Sequence, residues 1–155
     1  MPNRFGIQVD GDGRRDITVV LADDHNVMRS GLKALLQEEP DLTVVGEAED
    51  VDATLRVAAD LRPAVVVLDL NMPGSPTMPA ISRIVAESPG TAVVLLTMQD
   101  EPAFVREALR VGARGYVVKS SAGAELVNAI RTAAAGGTYL NPTLAARVGA
   151  EGNPD

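Results

Sequence analysis

The sequence predicts an α/β fold, a five-stranded parallel sheet with helices on both faces. Three observations predict it. Short β-branched or aliphatic runs alternate with segments of helical spacing. This strand–helix unit recurs five times, which implies right-handed βαβ crossovers and a parallel sheet. Finally, hydrophobic residues make up 46 % of the chain but aromatics only 3 %. The core must therefore be aliphatic, as strands buried on both faces require.

The elements follow in order. Ile17–Ala22 is the first strand, and Val27, Met28, Leu32, Leu35 and Leu36 then recur at helical spacing until Pro40. Leu42–Gly46 is the second strand; the helix over Val51–Leu61 ends at Arg62-Pro63, because the residue before proline disfavours helical geometry. Ala64–Leu68 is apolar throughout, and its length and flanks favour a buried strand. A Pro/Gly-rich loop over Asn71–Pro76 leads to a helix from Thr77 to Glu87, with Pro79 tolerated in its first turn. Ala92–Leu96, a helix over Glu101–Val111, the strand Gly115–Val118 and a helix over Ala122–Ala135 complete the repeats. Residues 1–16 read as a flexible lead-in, residues 17–136 as one domain, and residues 137–155 as the start of a linker. Asp10-Gly11-Asp12-Gly13 hints at a calcium loop but lacks the third acidic ligand and the distal Glu, so it is discounted.

Bulk properties exclude several classes. The 155 residues suit one compact domain. No cysteine is present, which removes disulfides, thiolate metal sites and cysteine nucleophiles and fits a cytoplasmic protein. No apolar run is long enough to span a bilayer, and residues 1–16 lack the apolar stretch of a secretory signal. The formal charge is −7 with scattered basic residues, so direct contact with nucleic-acid phosphates is not expected of this chain.

In open parallel sheets, ligands bind beyond the C-terminal ends of the strands. There the first strand delivers Asp23 and Asp24, the third Asp69, the fourth Thr97 and the fifth Lys119. Clustered carboxylates repel each other and need a cation; oxygen ligands without thiolate or imidazole favour Mg²⁺. A carboxylate beside Mg²⁺ is a competent nucleophile toward phosphorus, and a lysine ammonium and a threonine hydroxyl suit the phosphoryl oxygens. Each residue taken singly has a simpler reading. Asp24 and Thr97 can cap helices, and Lys119 can be a solvated loop lysine. Five such residues after four strands of one repeat make chance placement improbable. His25, the single histidine, is open to a reading as metal ligand or general base, but reads rather as a partly solvated residue of the first helical turn and is given no catalytic role.

At these positions the chain resembles the receiver domain of two-component response regulators, over about residues 16 to 140. The carrying segments are Val19-Val20-Leu21-Ala22-Asp23-Asp24-His25, Val66-Val67-Leu68-Asp69-Leu70-Asn71-Met72-Pro73-Gly74, Leu95-Leu96-Thr97 and Gly112-Ala113-Arg114-Gly115-Tyr116-Val117-Val118-Lys119. The resemblance implies a flavodoxin-like strand order of 2-1-3-4-5. It implies that Asp69 is the phosphoacceptor, fed by a sensor histidine kinase, and that Asp23, Asp24, Asp69 and the Asn71 backbone carbonyl hold Mg²⁺. Thr97 and Lys119 would contact the phosphoryl oxygens, Thr97 shifting toward them on activation while Tyr116 rotates inward. The subtype resembled is the LuxR type, suggested by Asp23-Asp24-His25 and by the tail from Ala135 to Pro142. That implies a phosphorylation-dependent homodimer, with DNA bound only through a C-terminal domain not in this chain. The chain then reads as an excised or a stand-alone receiver, the first favoured because its tail resembles the start of a linker. Ser120 stands where the family commonly has proline, and Gly74–Pro79 is unusually proline-rich.

Three rivals remain in view. An aspartate-nucleophile phosphotransferase of the haloacid dehalogenase type usually needs a second Asp two residues after the nucleophile. Asn71 stands there, and an amide cannot shuttle that proton. A nucleotide binder needs a glycine- and hydroxyl-rich phosphate cradle after the first strand, where this chain has two carboxylates. A pseudo-receiver keeps the fold without phosphorylation.

Overall fold

The computed structural model describes residues 7–9, 15–98 and 100–152. Its strands are β1 (Ile7–Val9), β2 (Arg15–Ala22), β3 (Leu42–Ala48), β4 (Val65–Asp69), β5 (Ala92–Thr97) and β6 (Gly115–Val118). Its helices are α1 (Asn26–Gln37), α2 (Val51–Leu61), α3 (Thr77–Glu87), α4 (Pro102–Arg110), α5 (Ala122–Ala134) and α6 (Pro142–Gly152). The parallel strands run β3-β2-β4-β5-β6, which is the expected 2-1-3-4-5 order counted along the repeats. β1 adds an antiparallel arm to the start of β2.

Alternate strand residues face opposite sides of the sheet, so each side gathers its own core. On one side Val20, Val66, Leu68, Val93, Leu95 and Tyr116 pack with α2, α3 and α4 through Val51, Ile81, Ile84 and Val105. On the other, Val19, Leu21, Val65, Val67, Val94, Leu96 and Val117 pack with α1 and α5 through Leu32, Leu36, Leu126 and Ile130. Every residue of β4 is buried. Each wholly buried leucine of this kind contributes roughly 1.5–3 kcal/mol. After α4, Gly112 at φ 113° turns the chain into β6, a geometry that side chains with a Cβ rarely adopt.

Two segments differ from the sequence reading. Within the expected lead-in, residues 7–9 and 15–16 are strand, paired Ile7 with Ile17 and Val9 with Arg15. The Asp10–Gly13 stretch lies outside the described residues. The expected linker start is the helix α6. The Asn141 side chain accepts the Leu144 N–H at 2.8 Å, with Pro142 at the first helical position. Leu144 is buried in the α2–α3–α4 core. Arg147 pairs with Asp100 at 3.3 Å, and Arg106 reaches the Val148 carbonyl at 3.5 Å. Tyr139 closes the seam, because the Tyr116 N–H donates to its carbonyl at 3.2 Å. No helix among the described residues is long and apolar enough to cross a membrane.

Candidate functional site

Strand register assembles the site. Ala22 is level with Leu68, so Asp23 follows at the height of Asp69. Asp69 pairs with Leu96, Thr97 pairs with Val118, and Lys119 comes next. Five expected residues, Asp23, Asp24, Asp69, Thr97 and Lys119, therefore meet at one rim. Asp23, Asp69 and Thr97 are buried, and Asp24 keeps part of its side chain exposed.

Lys119 Nζ lies 3.1 Å from Asp69 Oδ2 and 3.9 Å from Asp23 Oδ2. The other Asp69 oxygen accepts the Asn71 N–H at 3.0 Å. Asn71 itself is exposed, on the loop that the Thr77 hydroxyl pins by donating to the Leu70 carbonyl at 2.9 Å. The loop after β2 is held from both sides. The Asp23 N–H donates to the Ala48 carbonyl at 3.0 Å, and Asp23 Oδ1 accepts the His25 N–H at 2.8 Å.

Asp23 Oδ2 and Asp24 Oδ1 are inaccessible to water and have no hydrogen-bond partner. An unsatisfied buried acceptor costs about 1–3 kcal/mol, and more when charged. The rim thus sets three carboxylates against one ammonium and leaves two oxygens without a hydrogen bond. Ligand atoms of Asp23, Asp24, His25 and Asp69 lie within 4.8 Å of one another. An octahedral Mg²⁺ with ligands at about 2.1 Å places opposite ligands about 4.2 Å apart. The donor set fits a divalent cation after a small contraction.

Beneath the rim, Tyr116 is 0 % exposed and its hydroxyl shares a hydrogen bond with the Thr97 side chain. Burial pushes the phenol pKa up, and the Asp100 and Glu101 carboxylates add to this against the opposing effect of the Thr97 bond. The ring already lies inward in this conformation, whereas the resemblance implied an inward rotation on activation.

One residue escaped the sequence reading. Arg29 of α1 donates to the Asp23 carbonyl, to Asn26 Oδ1 at 2.8 Å and to Glu47 Oε1 at 2.9 Å, so it braces the acidic loop. Its place one turn into the helix that follows the acidic pair was the available signal. His25, given no catalytic role, stands at the N-cap position of α1 without a side-chain capping bond and brings Nδ1 to 3.2 Å from Asp24 Oδ1.

Known proteins match along the same stretch. Residues 19–131 match the response regulator receiver domain family. The chain is similar to Response regulator GacA of Pseudomonas viridiflava, 36 % identical over 129 residues that cover 83 % of this chain and 60 % of that protein. It thus spans about 60 % of the length of that relative. The crystal structure of a LuxR-family two-component response regulator from Aurantimonas sp. SI85-9A1 aligns with TM-score 0.82 at 34 % identity, covering 88 % of this chain and 97 % of that one. The isolated REC domain of RcsB from Salmonella enterica serovar Typhimurium, solved with phosphomimetic BeF3-, aligns with TM-score 0.78 at 27 % identity, covering 86 % and 99 %. The family match spans the residues that build the rim, and the chain belongs to the receiver-domain family of two-component response regulators, among relatives of the LuxR type.

Proposed function

We propose that this receiver is a phosphorylation switch that takes a phosphoryl group onto Asp69 from a sensor histidine kinase. The observation that carries the reading is the charge pattern around Asp69. This buried strand-end carboxylate has Lys119 at 3.1 Å and, beside it, carboxylate oxygens with no hydrogen-bond partner. A carboxylate oxygen of Asp69 attacks phosphorus as the bond from phosphorus to the donor's leaving group breaks, and the product is an acyl phosphate. Lys119 neutralises charge on the transferred oxygens, and the Thr97 hydroxyl donates to one of them. A hydroxyl both donates and accepts. When the Tyr116 hydroxyl donates to Thr97, Thr97 keeps its own proton for the phosphoryl group. Phosphorylation would then lock the inward Tyr116 and stiffen the surface formed by α4, β6 and α5.

Asp23, Asp24, Asp69 and the Asn71 carbonyl would hold Mg²⁺, which when bound offsets the charge of the carboxylates and the incoming phosphoryl group. Beyond slow self-phosphorylation and self-dephosphorylation no turnover is assigned, because Asn71 offers no proton-shuttling carboxylate. In a complete regulator of this type, working in the cytoplasm, the switch would control homodimerisation and DNA binding through a separate C-terminal domain.

A pseudo-receiver that only docks partners draws on one observation. Asp69 is 0 % exposed, so a donor must displace neighbouring side chains to reach it. Intact mass after incubation with acetyl phosphate and Mg²⁺ separates the two readings. The switch predicts a Mg²⁺-dependent gain of one phosphoryl group, absent in Asp69→Asn. No gain with acetyl phosphate or with a histidine kinase favours the docking module.

A further inference from the structure

The acidic rim carries an imidazole. His25 Nδ1 lies 3.2 Å from Asp24 Oδ1 and 3.4 Å from Asp23 Oδ1, and its side chain is 67 % exposed. Asp24 Oδ1 nevertheless has no hydrogen-bond partner, so the close approach to His25 is not an aligned hydrogen bond. The His25 ring makes no capping bond to α1 either. A ring nitrogen and a carboxylate oxygen without a hydrogen bond therefore face the same small space, with Asp23 Oδ2 buried beside them, also without a hydrogen bond and 3.9 Å from Lys119 Nζ.

The spacing suits ligation. With metal–ligand distances of about 2.1 Å, adjacent octahedral ligands lie about 3.0 Å apart. The separations of 3.2 and 3.4 Å from Nδ1 to the two carboxylates are close to that edge length. Hard oxygen donors alone suit Mg²⁺, whereas imidazole suits borderline metals such as Ni²⁺ and Zn²⁺.

We infer that His25 is a further ligand of the cation site, making it a mixed nitrogen–oxygen site that binds borderline first-row divalent cations through Nδ1 and Mg²⁺ through the carboxylates. The inference rests on the acidic rim being a cation site at all. Its consequence is selectivity. Borderline metals gain a ligand that Mg²⁺ hardly uses, so the rim is open to competition from them. The exposed ring can swing onto an incoming ion without disturbing the core.

Titration calorimetry of the tag-free chain with Ni²⁺ and with Mg²⁺ tests this, using wild type, His25→Gln and Asp24→Asn. His25→Gln removes no capping bond and is expected to fold. It should weaken Ni²⁺ binding by about tenfold and leave Mg²⁺ within about twofold. Ni²⁺ should also broaden the imidazole proton NMR signals of wild type, which are unambiguous because the chain has one histidine. Equal effects of His25→Gln on both metals, or none on either, with Asp24→Asn weakening both, would overturn the role of His25 alone. If wild type binds neither metal, or Asp24→Asn changes neither affinity, the reading of the rim as a cation site falls and the inference falls with it.

Discussion

Charged clusters at the two ends of the sheet are built on opposite plans. At the end where β3 begins, Arg131 of α5 donates to Asp41 at 2.8 and 3.0 Å and to Glu39 at 2.7 Å. All three side chains keep a third or more of their surface exposed. These hydrogen bonds hold the Arg131 guanidinium well above its ordinary pKa, so it stays charged throughout. At the other end Asp23 and Asp69 are buried, one lysine serves both, and two carboxylate oxygens are left without hydrogen bonds. The first cluster is satisfied and wet, and it ties α5 to the turn before β3. The second is dry and short of positive charge, an arrangement that stability alone does not favour. Structural ion pairs close their own accounts, whereas a site built for a cation and a phosphoryl group leaves places open.

Substitutions sharpen that contrast, beginning with the largest effect. Lys119→Met leaves Asp69 and Asp23 buried without compensation. Phosphorylation by acetyl phosphate should slow by about 100-fold, as expected on losing a charge-stabilising group. Chemical denaturation without metal should show a loss of about 3 kcal/mol. Unchanged stability would mean that the carboxylates find water or protons instead.

Asp23→Asn acts in the reverse sense. It keeps an acceptor for the His25 N–H and removes a repelling charge. The metal-free protein should gain about 1 kcal/mol in urea unfolding, a trade of function for stability. Mg²⁺ binding should weaken by at least about tenfold. Arg131→Ala at the satisfied end should lose less than about 1 kcal/mol, and the loss should shrink at high salt while phosphorylation is untouched.

The smallest effect is alkaline. Tyr116 has its pKa raised in the folded state, so the fold holds the proton more tightly than the unfolded chain does. Its contribution is complete below the unfolded value near about 10 and is lost as pH rises through the folded value. Tyr116→Phe should flatten the fall in stability in that range. Tyr139 is also raised, by burial and by its bond to Glu125, so part of the fall should persist. An identical alkaline profile in the two proteins would contradict the burial of the Tyr116 hydroxyl.

The repeats were readable because strand and helix periods differ sharply and because Pro40 and Pro63 punctuate them. The rim was readable because each chemical residue ends a strand or comes within two residues of its end, so strand order alone brings them together. What escaped depends on packing between distant elements. Arg29 braces Asp23 only because α1 lies over Glu47 of β3. The Asn141-Pro142 pair is a helix start, yet α6 is held by α4 and by the core around Leu144, a surface no local pattern specifies. β1 is three residues long, too short for a period to show. The inward Tyr116 is set by the Thr97 hydroxyl and by burial, not by its neighbours in sequence.

The most direct test of the account is to ask which carboxylate at the rim carries the phosphoryl group. Borohydride reduces an aspartyl phosphate to homoserine, and peptide sequencing by mass spectrometry then locates it. After treatment with acetyl phosphate and Mg²⁺, homoserine should stand at position 69 and nowhere else. Homoserine at position 23 or 24, or at none of the three while a phosphoryl group is still gained, would contradict the assignment of Asp69 as acceptor.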